Sequence, residues 1–180
     1  PIDVSKYGLI YAGAQKNLGP SGVVMAIIRD DLADRAPASL PTMMQYRTYV
    51  KERSLYNTPP TLAIYMVGQV LKWIRETGGL AAMAERNAEK AALLYDFLDQ
   101  SSVFRTPVHP DSRSQMNVVF RCATDELDSK FLGEAGKRGM EGLKGHRSAG
   151  GIRASIYNAC PRASVVALVD FMKEFELANR

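Results

Sequence analysis

The chain has 180 residues, of which 46% are hydrophobic and 23% charged, as in an ordinary soluble globular protein of one or two domains. Its net charge of +4 is spread along the sequence, which argues against a nucleic-acid partner and fits small anionic ligands. No apolar run is long enough to cross a membrane. The cysteines Cys122 and Cys160 and the two histidines have no metal-ligand spacing, so we expect no metal and a reduced, cytoplasmic setting.

Two short apolar runs near the start, Gly8–Ala12 and Val23–Ile28, predict two buried strands. The second run is apolar on both faces, which is typical of a strand in a sheet that is covered on both sides. The mixed region Ala33–Ser54 contains two prolines and is predicted to be mostly loop.

A helix is predicted next, from Pro59 to about Thr77. Thr58 is a good N-cap, Pro59 suits the first helical position, and Gly78 and the glycine after it are a stop signal. Two adjacent apolar stripes along this helix predict that it is deeply buried.

After this helix, the sequence pattern predicts strands and helices in alternation. Strands are predicted at Asn117–Cys122 and Ile152–Tyr157, and helices at Leu80–Asp99, Asp125–Arg138 and Pro161–Ala178. The second strand alternates cleanly, as a half-exposed antiparallel strand does. We therefore predict two domains: residues 1–78 are the tail of an α/β domain, and residues 79–180 form a compact α+β domain.

The first candidate for chemistry is Lys16, in the segment YAGAQKNLGPSG between the two early strands. Small residues precede it, and Gly-Pro-Ser-Gly closes the corner after it. The segment does not match the phosphate-binding pattern GxxxxGK[ST]. A lysine on such a corner is either a solvated surface charge or a nucleophile that forms a Schiff base.

A second candidate is the pair Asn57 and Thr58 at the predicted start of the long helix. The pair is a plain helix cap, or it holds a phosphate together with the free amides and the dipole of the helix N-terminus. The two interpretations do not exclude each other.

A third candidate is the glycine-rich segment Gly142–Ala159, which contains Lys144, His146, Arg147 and Arg153. It is either a solvated basic hairpin or an anion clamp. The second interpretation follows from the planar fork of arginine, which binds a carboxylate through two hydrogen bonds, and from the suitability of histidine and arginine for a phosphate.

Together, YAGAQKNLGPSG, YNTPPT and GHRSAGGIRASIYNA resemble, in this order, the signature segments of the phosphoserine aminotransferase family. This family belongs to the class V group of enzymes that use pyridoxal 5'-phosphate. The resemblance covers essentially the whole chain and implies the α/β fold of type I pyridoxal-phosphate transferases. Residues 1–78 would be the C-terminal part of the large, mostly parallel-sheet domain with its linking helix. Residues 79–180 would be the small C-terminal α+β domain with an antiparallel sheet.

The resemblance also implies a role for each candidate residue. Lys16 would form the Schiff base with the cofactor and move the substrate's Cα proton. Gln15, Asn57 and Thr58 would contact the cofactor phosphate. His146 and Arg147 would bind the phosphate of the substrate, and Arg153 would bind its α-carboxylate. Asn57 and Thr58 would reach across a homodimer with shared active sites, and His146 and Arg147 would do the same.

The implied reaction converts 3-phosphohydroxypyruvate and L-glutamate into O-phospho-L-serine and 2-oxoglutarate, in serine biosynthesis. A second implied role is in pyridoxine biosynthesis, with 4-phosphohydroxy-L-threonine. Two alternatives remain: another class V enzyme, such as a serine–glyoxylate aminotransferase or a desulfurase, or a non-catalytic module that binds the cofactor or dimerises. The pair His146 and Arg147 argues for a phosphorylated substrate, and Cys160 lies in a poor place for a desulfurase nucleophile.

The chain resembles only the C-terminal half of that family and begins at Pro1 without an initiator methionine. The family's acidic partner for the pyridine nitrogen and its ring-stacking aromatic residue lie upstream of the lysine. We therefore expect the 180 residues to be a fragment that is inactive alone, with the N-terminal half either continuous with it or supplied as a separate chain.

Overall fold

The structure is a computed structural model that describes residues 2–147 and 150–180. It divides into a first unit that ends at Leu80 and a second unit that begins at Ala81. The strands are β1 (Leu9–Gly13), β2 (Val24–Ile28), β3 (Asn117–Phe120) and β4 (Ile152–Ser155). The helices are α1 (Asp30–Ala33), α2 (Tyr46–Lys51), α3 (Thr61–Glu76), α4 (Gly79–Gln100), α5 (Asp125–Lys137) and α6 (Arg162–Ala178). Within the described residues, no helix is both long and apolar enough to span a membrane.

The two strands of unit 1 form an antiparallel pair in which Leu9 faces Ile28 and Gly13 faces Val24. The predicted positions of both strands are therefore confirmed within one residue. The predicted burial is wrong for this chain, because β2 is exposed over four of its five residues. The mostly parallel sheet implied by the resemblance is not present either, since both sheets of the described chain are antiparallel. An apolar strand sequence shows what the strand is able to bury and says nothing of strand direction.

The region predicted to be mostly loop contains more regular structure than expected. Helix α2 lies within it, preceded by a 3₁₀ turn at Thr42–Met44. The Thr48 hydroxyl donates a hydrogen bond to the Thr42 carbonyl at 2.9 Å, which joins the helix to this turn. Both prolines lie before the helix, where they cost it no hydrogen bond.

Helix α3 ends at Glu76, close to the predicted end, but it begins at Thr61 instead of Pro59. Pro60 occupies the cap position, and no side chain caps the helix, so the prediction that Thr58 is the N-cap is wrong. The reason is local, because a residue that precedes a proline is driven out of the helical conformation and Pro59 precedes Pro60. The predicted deep burial is also wrong, since Ile74 is the one buried residue described for this helix.

Unit 2 follows the sequence prediction closely. Strands β3 and β4 pair antiparallel, with Asn117 opposite Ser155 and Phe120 opposite Ile152. The alternation predicted for β4 is confirmed, since Ile152 and Ala154 are buried whereas Arg153 and Ser155 are half-buried. Each strand is two residues shorter than predicted, and the three helices match their predictions within one residue at each end.

The core of unit 2 is built around the Phe131 ring on α5. Its centroid lies 5.3 Å from that of Phe104, 6.0 Å from Phe120, 5.0 Å from Phe171 and 5.2 Å from Phe175. These rings belong to α5, α6, β3 and the segment before β3, so one aromatic cluster fixes all of these elements. Aromatic pairs in such tilted or edge-to-face geometries each stabilise a fold by about 0.5–1.5 kcal/mol beyond their burial.

Glu176 is a buried carboxylate on α6 that holds the segment following α4. It accepts hydrogen bonds from the Ser101 hydroxyl at 2.9 Å and from the Ser102 amide and hydroxyl at 2.9 and 2.8 Å. Burial raises the pKa of Glu176. The hydrogen bonds from Ser102, Ser101 and Arg180 lower this pKa by a larger amount in total, so the net shift is downward. The folded state therefore prefers the charged form of this group.

A lowered carboxylate pKa predicts a loss of stability in acid. The contribution of Glu176 is fully present above the unfolded-state pKa of 4.5 and disappears as the pH falls through the lower folded-state pKa. Glu176→Gln should lower the stability of unit 2 at pH 7 by about 1–3 kcal/mol and flatten this acid dependence. Hydrogen exchange of the α6 amides from pH 7 to pH 3 measures both effects. Glu141→Gln, at an exposed position, is the control; equal acid sensitivity in wild type and Glu176→Gln would contradict the prediction.

Candidate functional site

The corner between β1 and β2 presents Lys16 in an unusual backbone conformation. Its φ is +98°, in the left-handed region that a side chain with a Cβ rarely adopts. The conformation is held by a hydrogen bond from the Lys16 amide to the Gly19 carbonyl at 3.1 Å and by one from Ala14 to Val23 at 2.9 Å. A residue in such a conformation costs on the order of 1–3 kcal/mol, and such residues concentrate at functional sites.

The surroundings of the corner are closed on one side and open on the other. A Cβ added to Gly19 would lie 3.2 Å from a methyl group of Val67, so the corner approaches α3 closely. A Cβ added to Gly13 would meet no atom within 4 Å, so space is available where β1 enters the corner. Gln15 and Lys16, two and three positions further along the chain, are both exposed.

Asn57 and Thr58 lie in the same unit, on an exposed segment that precedes α3. The side-chain amide of Asn57 donates a hydrogen bond through Nδ2 to the backbone carbonyl of Thr58 at 3.2 Å. Because α3 begins at Thr61, neither residue caps it, and the first helical amides belong to the residues from Thr61 onward. The pair therefore stands beside a helix N-terminus, as the phosphate-binding interpretation requires, but outside the helix itself.

In unit 2, one tight loop carries the basic residues of the third candidate. The loop is closed by hydrogen bonds from Gly145 to Gly151 at 2.9 Å, from Gly150 to the His146 carbonyl at 2.8 Å and from Arg153 to Leu143 at 2.7 Å. His146 and Arg147 are exposed at its tip, whereas Ser148 and Ala149 lie outside the described residues. The structure thus brings His146, Arg147 and Arg153 onto a single hairpin.

Arg153 occupies the middle of β4, opposite Val119, and is half-buried. Its Nε is buried and has no hydrogen-bond partner, and no carboxylate of the described residues forms a salt bridge with its guanidinium. A half-buried cation without a counter-charge favours the binding of an anion at this position.

Comparisons with known proteins show the family of the chain. The profile of the aminotransferase class V family matches residues 1–168. The chain belongs to the class V aminotransferase family. It is 57% identical over 178 residues to the phosphoserine aminotransferase of Bacillus cereus strain ATCC 10987, which covers 99% of this chain and 49% of that protein.

Solved structures show the same relationship. The phosphoserine aminotransferase of Bacillus circulans subsp. alkalophilus matches with a TM-score of 0.97 at 55% identity, over 100% of this chain and 50% of that one. The pyridoxal-phosphate-bound phosphoserine aminotransferase of Trichomonas vaginalis matches with a TM-score of 0.89 at 44% identity, over 96% of this chain and 49% of that one. The chain thus spans about half the length of the relatives it matches, and which half this is stays a prediction.

This class V chain also contains a buried lysine that the sequence analysis missed. Lys90 lies on α4, and its ammonium donates hydrogen bonds to the carbonyls of Ile156, Tyr157 and Cys160 at 3.1, 2.8 and 3.1 Å. Burial lowers the pKa of Lys90, although the Cys160 thiol opposes this by raising it. Lys90 therefore fixes the main chain between β4, which carries Arg153, and α6.

The sequence signal for Lys90 is its position on the apolar face of α4. The residue falls at helical spacing in the buried stripe, after Met83 and Asn87 and before Leu94. The neighbouring Asn87 donates to the Asn158 side chain at 2.8 Å, so two polar residues of this stripe hold the same turn. A polar residue on the apolar face of a helix is typical of a buried hydrogen-bonding group.

The two cysteines of this class V chain differ in burial. Cys122 is buried, and burial together with Asp128 raises its pKa to about 12. Cys160 is half-buried and directly precedes Pro161, the cap of α6.

Among the described residues, no group of three or more His, Cys, Asp or Glu side chains could hold a metal.

Replacing Lys90 tests its role in the turn between β4 and α6. Lys90→Met should destabilise unit 2 by about 2 kcal/mol or more, because three buried carbonyls lose a charged donor. Lys173→Met, which removes an exposed lysine paired with Asp170 at 3.3 Å, should change stability by less than about 0.5 kcal/mol. Urea unfolding compares the two variants. Unchanged stability in Lys90→Met would mean that the cost of burying the ammonium cancels its hydrogen bonds.

Proposed function

We propose that the protein to which this chain belongs is a phosphoserine aminotransferase that depends on pyridoxal 5'-phosphate. It transfers the amino group of L-glutamate to 3-phosphohydroxypyruvate and yields O-phospho-L-serine and 2-oxoglutarate. The observation that carries the proposal is Lys16, presented on an open corner in a left-handed backbone conformation. The high identity to phosphoserine aminotransferases supports it.

The residues of the corner fit the cofactor. We place the flat ring of the cofactor in the space beside Gly13, three residues before the lysine, since a Cβ at Gly13 would meet nothing within 4 Å. Gln15 is exposed next to the lysine, and Asn57 and Thr58 offer an amide and a hydroxyl that can donate to a phosphate. We assign Gln15, Lys16, Asn57 and Thr58 to cofactor binding, the last two toward the site of the partner subunit in a homodimer.

Pyridoxal phosphate, when bound, supplies the electron sink that makes the substrate's Cα proton acidic. Lys16 would hold the cofactor through its Nζ. Once substrate is bound, the freed Nζ would be the base and acid that moves the substrate's Cα proton. The backbone conformation at Lys16 sets the direction in which the side chain leaves the main chain. A small displacement of this corner would therefore misdirect the proton transfer.

The basic hairpin of unit 2 carries residues for both anionic groups of the substrate, and each hairpin would serve the two active sites of the dimer. Arg153, half-buried and without a salt-bridge partner, is assigned to the α-carboxylate that both substrates share. His146 and Arg147, exposed at the loop tip, are assigned to the phosphate of the oxo acid, across the dimer. The closed backbone of the loop keeps the two kinds of group on one element.

Four further features belong to the proposal. Residues 1–78 are assigned to the large cofactor domain and residues 79–180 to the small domain of a longer enzyme. The protein is a cytoplasmic homodimer. A second role in pyridoxine biosynthesis, with 4-phosphohydroxy-L-threonine, follows from the same phosphate and carboxylate groups. A desulfurase is disfavoured, because Cys122 is buried with a raised pKa and Cys160 is fixed beside the cap of α6.

Borohydride reduction tests the cofactor lysine. The complete natural protein is reduced in the presence of pyridoxal phosphate and its peptides are mapped by mass. We expect a pyridoxyl group on Lys16, its loss in Lys16→Ala, and no detectable transamination by that variant. Lys51→Ala, which removes an exposed lysine, is the control and should keep both label and activity. Normal transamination by Lys16→Ala, or label scattered over surface lysines in the wild type, would refute the proposal.

Arg153 is tested by steady-state kinetics of the complete protein. Because both substrates carry an α-carboxylate, Arg153→Ala should lower kcat/KM for L-glutamate and for 3-phosphohydroxypyruvate, each by a factor of about 100 or more. Arg153→Lys should recover only part of the loss, since an ammonium cannot replace the planar fork. A variant that lost kcat/KM for one substrate alone would show that Arg153 binds something other than the shared carboxylate.

A further inference from the structure

The side chain of Arg121 lies against two consecutive glycines of the basic loop. A Cβ added to Gly150 would lie 2.8 Å from the Nη2 of Arg121. One added to Gly151 would lie 2.8 Å from its Cγ and 3.0 Å from its Nε. The two distances of 2.8 Å are shorter than those that real Cβ atoms show, so Arg121 occupies the volume that side chains at these two positions would need.

The loop accommodates this contact through its glycines. Gly150 and Gly151 both have a φ of +67°, a conformation that disfavours any residue with a side chain. A Cβ at Gly145 would collide with the Gly150 carbonyl oxygen and would lie 2.7 Å from that of Gly151. Gly145 thus lies against the same pair that Arg121 contacts, so three glycines close the base of the loop.

The position of Arg121 is itself fixed by backbone pairing. It follows the last residue of β3 and exchanges two hydrogen bonds of 2.8 Å with Arg105. Its Nη1 lies 3.9 Å from the Asp125 carboxylate, at the start of α5. The side chain is 35% exposed, so most of it is packed within unit 2. Arg121 therefore connects the aromatic core of this unit, through Phe120, to the glycine pair.

We propose that Arg121 is a positioning residue that holds the loop of His146 and Arg147 in the conformation that binds a phosphate group. This inference rests on the proposed function and deepens it. It assigns to Arg121 a part of the preference for phosphorylated over unphosphorylated 2-oxo acids, exerted through His146 and Arg147.

The physical reason is preorganisation. A loop closed by three glycines has more backbone freedom to lose than a loop of the same length without them, and this loss weakens binding unless the folded protein restrains the loop beforehand. Arg121 supplies the restraint through a side chain that is fixed at its base and packed along two of the glycines.

The test is the selectivity of the complete enzyme with one amino donor, L-glutamate. The ratio of kcat/KM for 3-phosphohydroxypyruvate to kcat/KM for hydroxypyruvate is measured in wild type, Arg121→Ala and Arg121→Lys. We expect the ratio to fall about tenfold in Arg121→Ala and less in Arg121→Lys, which keeps the aliphatic stem along Gly151. A purely structural role would lower both kcat/KM values by the same factor and leave the ratio unchanged.

Arg105→Ala is the matched control, because Arg105 is the exposed backbone partner of Arg121 and does not come within 4 Å of the Cβ position of Gly150. Its ratio should stay within about twofold of wild type. An unchanged ratio in Arg121→Ala, or an equal fall in Arg105→Ala, would overturn the inference.

Thermal unfolding identifies variants that do not fold. If Arg121→Ala is unfolded, the same kcat/KM ratio in Arg121→Lys and Arg121→Gln tests the inference. If none of the three variants folds, Arg121 is a structural residue and the inference is wrong. A wild-type enzyme with no preference for the phosphorylated substrate would instead refute the proposed function, and this inference with it.

Discussion

The contact of the Phe131 ring with four other phenylalanines decides where the parts of unit 2 lie. A close-packed aromatic core tolerates little displacement, so the strand that carries Phe120 is fixed relative to the helices. Strand β4 pairs with that strand and places Arg153 in its middle. The charged residues of the hairpin are therefore positioned by an apolar cluster to which none of them belongs. This separation allows a site to be precise although its own groups are polar and exposed.

Unit 1 is organised differently. It buries few residues, and the corner of Lys16 is held by backbone hydrogen bonds and by the approach of Gly19 to Val67. Large apolar side chains remain exposed on both β2 and α3, including Val24, Leu62 and Tyr65. Exposed apolar surface of this extent marks a surface that contacts further protein. It agrees with the proposal that the chain is part of a longer, dimeric enzyme whose cofactor residues come from several segments.

The sequence predicts what local rules determine. Helix α5 begins where Thr124 caps it, with three acidic residues in its first turn, and β4 alternates as predicted. Thr58 has the residue type of a helix cap, but α3 begins later because Pro60 restricts the backbone of Pro59. The burial of β2 and α3 could not be predicted, because hydrophobicity does not reveal which partner surface the described chain supplies. The contact of Arg121 with Gly150 joins residues 29 positions apart in the sequence and has no local signature.

The left-handed conformation of Lys16 has an evolutionary consequence. Glycine or asparagine would adopt this φ at lower cost, so selection for stability alone favours replacing the lysine. A lineage that ceased to need the amine should lose it early, because the replacement would relax the backbone and make the protein more stable. Position 16 is thus a place where a single substitution would record whether a descendant of this protein still performs chemistry or has become a scaffold.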